Sequence, residues 1–169
     1  MHKKTLELVI LALLGALLVV VQVALASLPN IELVSLLVYL YAKIYGRKAF
    51  IPVYVFVLLE GLLYGFTIWW ITYLYVWAIL VVLSIVTKHE TSTFVCAAVI
   101  SLFGLSFGLL CTLPTLIIGG PGAAVTFFIN GLPFDITHFA GNLLSALVLY
   151  YPLYLLMRRL KAVSYGNSI

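Results

Sequence analysis

Charged residues are scarce in this chain of 169 residues, where Asp, Glu, Lys and Arg together make up 8%. Hydrophobic residues make up 65%, and the mean hydropathy is +1.25. A chain with so few charges cannot cover a water-facing surface, so a water-soluble globular fold is excluded. The sequence therefore predicts an integral membrane protein, with residues 1–169 forming a single domain.

The long apolar runs lack the alternation of polar and apolar residues that strands of a membrane barrel require. Within lipid, each backbone N–H and C=O must be hydrogen-bonded by the protein itself, which leaves helices as the solution for this chain. We therefore expect an all-α fold. Hydropathy and helix-breaking residues predict six transmembrane helices at residues 5–28, 31–45, 50–66, 70–86, 94–114 and 134–157.

Cysteine is scarce, with two residues in the chain, and nucleotide-binding motifs are missing. Cys96 and Cys111 are separated by about 22 Å along one predicted helix at 1.5 Å per residue, too far for a disulfide between them. The phosphate-binding pattern GxxxxGK[ST] does not occur, so ATP hydrolysis would have to come from another subunit. We assign no catalytic residue, no metal ligand and no intrinsic cofactor.

The basic residues occur in small groups between the hydrophobic runs. With the N-terminus in the cytoplasm, all nine Lys and Arg residues fall on the cytoplasmic side, as the positive-inside rule requires. Both termini are therefore predicted to be cytoplasmic. The groups form no basic stripe, so nucleic acid is not expected as a partner.

The hydrophobic pattern is interrupted between residues 118 and 142. Gly119-Gly120-Pro121-Gly122 predicts one helix break, and residues 130–133 predict a second, so that residues 118–135 would form a mobile lid. Asp135, His138 and Asn142 follow at i, i+3 and i+7, on one face of an apolar helix. Polar groups inside a membrane usually mark a functional site.

Other polar and aromatic residues are predicted at the same, extracellular ends of the helices. Together they suggest an outward-facing small-molecule pocket, although the aromatic residues also fit an interfacial anchoring belt. The predicted substrate-binding residues are Asn30, Glu32, Glu60, Tyr64, Trp69, Trp70, Tyr73, Gly120, Asn130, Asp135, His138 and Asn142.

The first helix carries small residues at Ala12, Gly15 and Ala16, and Ala12-x-x-x-Ala16 matches a motif of a known family. Together with the size and topology, it makes the chain resemble the substrate-binding S-components of bacterial energy-coupling factor vitamin transporters. The resemblance implies a multi-pass protein of the bacterial cell membrane whose outer loops, here residues 27–32, 61–73 and 118–135, cover a vitamin. It also implies a transmembrane coupling subunit and two ATPases as partners, with the three small residues as the coupling interface and toppling as the means of release.

The segments LPNIELVSLL, VFVLLEGLLYGF, WWITYLYVW and GGPGAA are most similar to the cobalamin-specific type of that family. His138 would then either approach the cobalt or pack against Asp135 or Asn142. Pyridoxine, riboflavin or another flat heterocycle suits the same residues. An intramembrane protease is the competing class, since His138-x-x-x-Asn142 resembles one of its motifs, but the expected Glu-Glu pair with a downstream Arg is missing beside Glu60.

Overall fold

The computed structural model describes residues 3–165, and this part of the chain is all-helical. Three segments in it are long and apolar enough to cross a membrane, at Lys4–Ala24, Ile68–Val86 and Thr93–Ser164. The predicted all-α class is confirmed. The helices are α1 (Lys3–Ala24), α2 (Val34–Tyr45), α3 (Phe50–Tyr64), α4 (Ile68–Val86), α5 (Thr93–Leu105) and α6 (Phe107–Tyr165), and a 3-10 turn (Gly46–Ala49) joins α2 to α3.

Helix α2 forms the centre of the bundle. Every residue from Val34 to Ala42 is buried, so this helix has no exposed face. A helix that is apolar on all sides is expected to be enclosed by others, and α2 packs chiefly against α4 and α6. Ser84 on α4 donates a hydrogen bond of 2.7 Å to the backbone oxygen of Tyr39, which fixes the two helices to each other.

Helices α1 and α3 run parallel to each other. Glu7 pairs with Lys48 at the start of both helices, and Gln22 contacts Glu60 near the end of both. Between them Gly15 lies directly on α3, because a Cβ atom at this position would come within 2.7 Å of Val55. Glycine therefore allows the close approach of these two helices.

Helix α6 is bent back on itself at Gly120, whose φ of 77° departs from helical geometry. As a straight rod its 59 residues would extend about 88 Å at 1.5 Å per residue, far more than a bilayer of about 30 Å. We call residues 107–119 the first arm and residues 121–165 the second arm. Gly108 in the first arm contacts Asp135 in the second, and Gly104 of α5 contacts Asn142, so α5 and the first arm run antiparallel to the second arm.

This hairpin confirms one prediction and corrects another. The break predicted at Gly119-Gly120-Pro121-Gly122 is confirmed by the non-helical conformation of Gly120. Gly104 and Gly108 form a close-packing face, since a Cβ at either position would collide with a side chain of the second arm. The predicted second break at residues 130–133 is wrong, because α6 is helical throughout that range. A proline inside a helix removes one backbone hydrogen bond and bends the helix without necessarily ending it, and Pro133 lies inside α6 here. Gly131 does not adopt the positive φ with which a helix commonly ends. Residues 118–135, which the sequence predicts as a lid, therefore form the end of the first arm, the reversal at Gly120 and the beginning of the second arm.

Several predicted helix ends also move. Helix α1 ends at Ala24 and α2 begins at Val34, so the linker between them is longer than the predicted turn. Asn30 sits within that linker in the left-handed region, with φ 57°, a conformation that asparagine tolerates better than most residues. Helix α3 ends at Gly65, whose φ of 91° suits the glycine that commonly follows a helix C-terminus.

Lysine side chains close the helix ends at one end of the bundle, which we call the basic end. The ammonium groups of Lys43 and Lys161 satisfy carbonyls near helix C-termini and lie at the negative end of a helix dipole, whereas Lys48 pairs with a carboxylate. The contacts are Lys43 Nζ with the backbone oxygens of Thr87 and Glu90, Lys161 Nζ with the backbone oxygen of Ile44 (2.6 Å), and Lys48 Nζ with Glu7 Oε1 (2.5 Å).

Candidate functional site

A cavity of about 400 Å³ lies among the helix ends opposite the basic end. Its walls come from the end of α1, the linker to α2, the end of α3, the start of α4 and both arms of α6. The lining residues are Gln22, Leu25, Ala26, Leu28, Pro29, Asn30, Ile31, Glu32, Glu60, Tyr64, Trp69, Tyr73, Trp77, Phe107 and His138.

Glu60 is the most deeply buried charged residue of this lining, with 2% of its surface exposed. Its Oε2 atom accepts a hydrogen bond from Gln22 Nε2 at 3.5 Å, the limit for such a bond, while Oε1 has no hydrogen-bond partner in the part of the chain that the structure describes. The same Gln22 amide donates to the Tyr73 hydroxyl at 3.2 Å. Buried carboxylates are normally paired, so Glu60 has hydrogen-bonding capacity that the protein leaves open.

Glu32 connects the cavity to the central helix. Its Oε2 atom accepts the backbone N–H of Ser35 at 2.8 Å, which satisfies a donor in the first turn of α2. Its Oε1 atom lies 3.0 Å from Nε2 of His138, whose side chain is 5% exposed. His138 is therefore paired with Glu32, and neither of the packing partners expected from its own helix, Asp135 and Asn142, takes that place.

An aromatic wall faces these polar groups. Trp69, Tyr73 and Trp77 follow at i, i+4 and i+8 on α4 and so share one face of that helix. Their rings meet edge to face, with centroid distances of 5.2 Å from Trp69 to Tyr73 and 5.5 Å from Tyr73 to Trp77. The Phe107 ring continues the wall, with its centroid 5.5 Å from that of Trp77. The Trp77 Nε1 atom has no hydrogen-bond partner among the residues that the structure describes.

The structure brings together seven of the twelve predicted substrate-binding residues. Trp70 points away from the cavity, and its Nε1–H donates a hydrogen bond of 2.8 Å to the backbone oxygen of Val57. Gly120 and Asn130 lie toward the tip of the hairpin. Phe107 is 12 residues before the end of the first arm, so the tip lies about 18 Å beyond the cavity wall. The seven that line the cavity are Asn30, Glu32, Glu60, Tyr64, Trp69, Tyr73 and His138.

Asp135 and Asn142 hold the hairpin together and do not line the cavity. Asp135 Oδ1 accepts the backbone N–H of Gly108 at 2.9 Å, and Asn142 Nδ2 donates to the backbone oxygen of Ile100 at 3.3 Å. Both side chains are at least 96% buried between the arms and α5. The Asp135 carboxylate thereby satisfies a backbone N–H in the first turn of α6, whereas Asp135 Oδ2 and Asn142 Oδ1 have no hydrogen-bond partner among the described residues.

Gln22, Trp77 and Phe107 were not among the predicted residues. Gln22 is an isolated polar residue far along the apolar α1, and an intramembrane polar group is a signal of function that the sequence does contain. Trp77 extends the Trp69 and Tyr73 spacing by one further turn. Phe107 carries no such signal, since its place depends on the turn at Ser106 between α5 and α6.

The three predicted coupling residues differ in exposure. Ala12 is exposed, Ala16 is half-buried and Gly15 is buried against α3. Ala12 is therefore the one whose surface is open to another protein, while Gly15 serves the packing of α1 on α3.

The charged groups of the cavity are acidic, apart from His138. Among the described residues that line it, Glu32 and Glu60 carry carboxylates and none is Lys or Arg. Within residues 3–165, no three His, Cys, Asp or Glu side chains are grouped so as to hold a metal ion. The arrangement offers hydrogen-bond acceptors, aromatic faces and a paired histidine to a small molecule.

Comparison of the chain with protein-family models, with curated protein sequences and with solved structures finds no match.

Proposed function

We propose that this chain is a membrane-embedded receptor for a small molecule, the substrate-binding subunit of an importer of the S-component type. The observation that carries the proposal is the cavity opposite the basic end, where a buried carboxylate oxygen of Glu60 and the Trp77 N–H have no hydrogen-bond partner within residues 3–165. A few unsatisfied polar groups beside aromatic surfaces are the usual composition of a ligand site.

The positive-inside rule sets the orientation in this proposal. The basic end lies in the cytoplasm together with both termini, and the cavity opens to the outside. The six spans are then α1 to α4, α5 continued by the first arm, and the second arm. With only 12 residues, α2 is too short to cross a bilayer by itself, and its burial among longer helices compensates for this.

The size of the cavity bears on the identity of the ligand. A volume of about 400 Å³ is in the lower part of the range for small-molecule sites, roughly 300 to 1,000 Å³. A flat heterocycle such as pyridoxine or riboflavin can be enclosed by such a space, whereas cobalamin would leave much of its bulk outside. Volume thus favours a smaller vitamin over the cobalamin suggested by the sequence.

The protease alternative receives less support from the geometry. Asn142 is hydrogen-bonded to the backbone of Ile100 and does not line the cavity with His138.

Uptake in our proposal is driven by a coupling subunit and two ATPases that dock on the Ala12 surface of α1. This chain binds the substrate, and its partners hydrolyse ATP.

Calorimetric titration of the purified full-length chain in lipid nanodiscs tests the receptor proposal. Pyridoxine, riboflavin, thiamine and cobalamin are added separately, without ATP, and one of them is expected to bind with a stoichiometry of one. Tyr73→Ala should weaken that binding, because Tyr73 lies in the cavity wall, while Tyr151→Ala on the exposed surface of α6 serves as the matched control. Equal affinity of the two variants, or no binding at all, contradicts the proposal.

A further inference from the structure

We propose that the ligand is an organic cation, a flat nitrogen heterocycle or an aromatic ring bearing an alkylammonium group, that donates an N–H to Glu60 and lies against the aromatic wall of α4. This inference rests on the proposed receptor function and specifies the chemical class that the cavity selects.

The charge of the cavity is the first argument. Two carboxylates line it, and no Lys or Arg of the described chain does. If His138 is protonated, it balances Glu32 at 3.0 Å and leaves Glu60 uncompensated; if His138 is neutral, both carboxylates are uncompensated. In either state the cavity attracts a positive charge and repels an anion.

The open hydrogen-bonding position on Glu60 is the second argument. A carboxylate buried to 98% normally has several donors, whereas Glu60 has one amide contact at 3.5 Å on Oε2 and none on Oε1. Burying an uncompensated charge is costly, and a cationic N–H donor removes that cost when it binds. A ligand that offers only acceptor groups leaves the carboxylate unsatisfied.

The aromatic wall is the third argument, and it is independent of the carboxylates. The faces of Trp and Tyr rings carry partial negative charge and attract cations within about 6 Å, most strongly where water is excluded. Trp69, Tyr73 and Trp77 supply three such rings on one face of α4, on the same cavity as Glu60. Because neighbouring rings meet edge to face, a flat cation lies over the face of one of them and donates to the carboxylate at the same time.

Two sets of probes with matched rings test the charge of the ligand. The first set is pyridoxamine, pyridoxine and 4-pyridoxate, and the second is 1-methylnicotinamide, nicotinamide and nicotinate; each contains a cation, a neutral molecule and an anion. Binding to the full-length chain in nanodiscs is measured by calorimetry at pH 7.5. In at least one set we expect the cation to bind about tenfold or more tightly than the neutral molecule. The ammonium group of pyridoxamine can form a charge-assisted hydrogen bond, which is about twice as strong as a neutral one. The ring nitrogen of 1-methylnicotinamide has no N–H, so its charge tests electrostatic and cation–π attraction alone.

Glu60→Gln tests the source of the preference. The substitution keeps the size of the side chain and removes its charge, so the advantage of the cation over the neutral probe should disappear. Glu90→Gln is the matched control, because Glu90 lies beyond α4 near the basic end and its Oε1 accepts the backbone N–H of Ser92. If Glu60→Gln does not elute as a monodisperse protein, the comparison of probes on the unaltered chain decides the question alone.

The outcomes separate this inference from the receptor proposal. A neutral or anionic probe that binds as tightly as its cationic partner overturns the cation inference and leaves the receptor proposal standing. A cation preference that survives in Glu60→Gln overturns the role of that carboxylate. Failure of all six probes and of the vitamins contradicts both proposals.

Discussion

The basic end and the cavity differ in how their polar side chains are paired. At the basic end Lys43, Lys48 and Lys161 each contact a carbonyl or carboxylate of a neighbouring segment. At the cavity Glu60 and Trp77 each retain an atom without a partner, although both residues are buried. Pairing within the protein stabilises the fold, whereas the unpaired groups of Glu60 and Trp77 line an open space and are available to a ligand. The unpaired oxygens of Asp135 and Asn142 are enclosed between helices and are not available in this way. The comparison predicts that substitutions at the two ends have opposite consequences.

The largest effect is expected at Lys43. Replacing it by Met removes charged hydrogen bonds to the Thr87 and Glu90 carbonyls, and such bonds contribute roughly 1.5 to 3 kcal/mol each. Lys43→Met should lower the free energy of unfolding by about 3 kcal/mol and leave ligand affinity unchanged. Thermal unfolding in nanodiscs and calorimetry measure the two quantities, with Lys88→Met at an exposed position as the control. Lost affinity with retained stability would remove the distinction between the two ends.

Gly120→Ala is expected to have the next largest effect. A φ of 77° with an extended ψ is a conformation that costs other residues about 1 to 3 kcal/mol, so stability should fall by that amount. The glycine-rich tip is distant from the cavity wall, and we therefore expect unchanged ligand association and dissociation rates. Stopped-flow measurement of tryptophan fluorescence gives these rates. A marked slowing would instead support the lid that the sequence suggests.

Glu60→Gln should raise stability in the absence of ligand. The substitution removes a buried charge that has a single weak partner, and a poorly satisfied buried polar group costs about 1 to 3 kcal/mol, part of which the neutral amide avoids. The ligand-free variant should therefore unfold at a higher temperature than the unaltered chain, although its cavity binds less well. Glu7→Gln, which removes the partner of Lys48, should not show this increase. A lower unfolding temperature for Glu60→Gln would mean that the carboxylate is satisfied within the protein.

The smallest effect on the isolated chain is expected at Ala12. Because Ala12 is exposed, Ala12→Trp should change neither stability nor ligand affinity, but it should abolish co-purification with the coupling subunit and ATP-dependent uptake. Gly15→Ala is the contrasting variant, since its Cβ would lie within 2.7 Å of α3 and should destabilise the bundle by roughly 1 to 3 kcal/mol. Normal co-purification of Ala12→Trp would show that this surface faces lipid alone.

The sequence predicts the helical class and the end of the bundle that holds the polar groups, because hydropathy and charge act on whole segments. It also places Asp135, His138 and Asn142 on one face of α6. It does not indicate which neighbour that face meets. In the structure α5 and the first arm cover Asp135 and Asn142, so His138 alone reaches the cavity.

Proline and glycine illustrate a second limit of prediction from sequence. Pro121 and Pro133 both follow glycine-containing stretches, yet the chain reverses only near the first of them. Whether a proline bends or ends a helix depends on whether neighbouring groups compensate its missing hydrogen bond, and in membrane helices they often do.

Trp77 could have been predicted from the sequence, because its spacing from Tyr73 equals that of Tyr73 from Trp69.

The antiparallel register of the hairpin restricts how its length can vary. Gly108 must meet Asp135 and Gly104 must meet Asn142, because a larger side chain does not fit at either glycine. An insertion or deletion in one arm alone would move Gly120 away from the point of reversal and place a residue with a side chain there. Insertions and deletions between residues 109 and 134 should therefore occur in equal numbers on both sides of Gly120. A chain shortened by one helical turn in each arm should keep its cavity, whereas one shortened in a single arm should not fold.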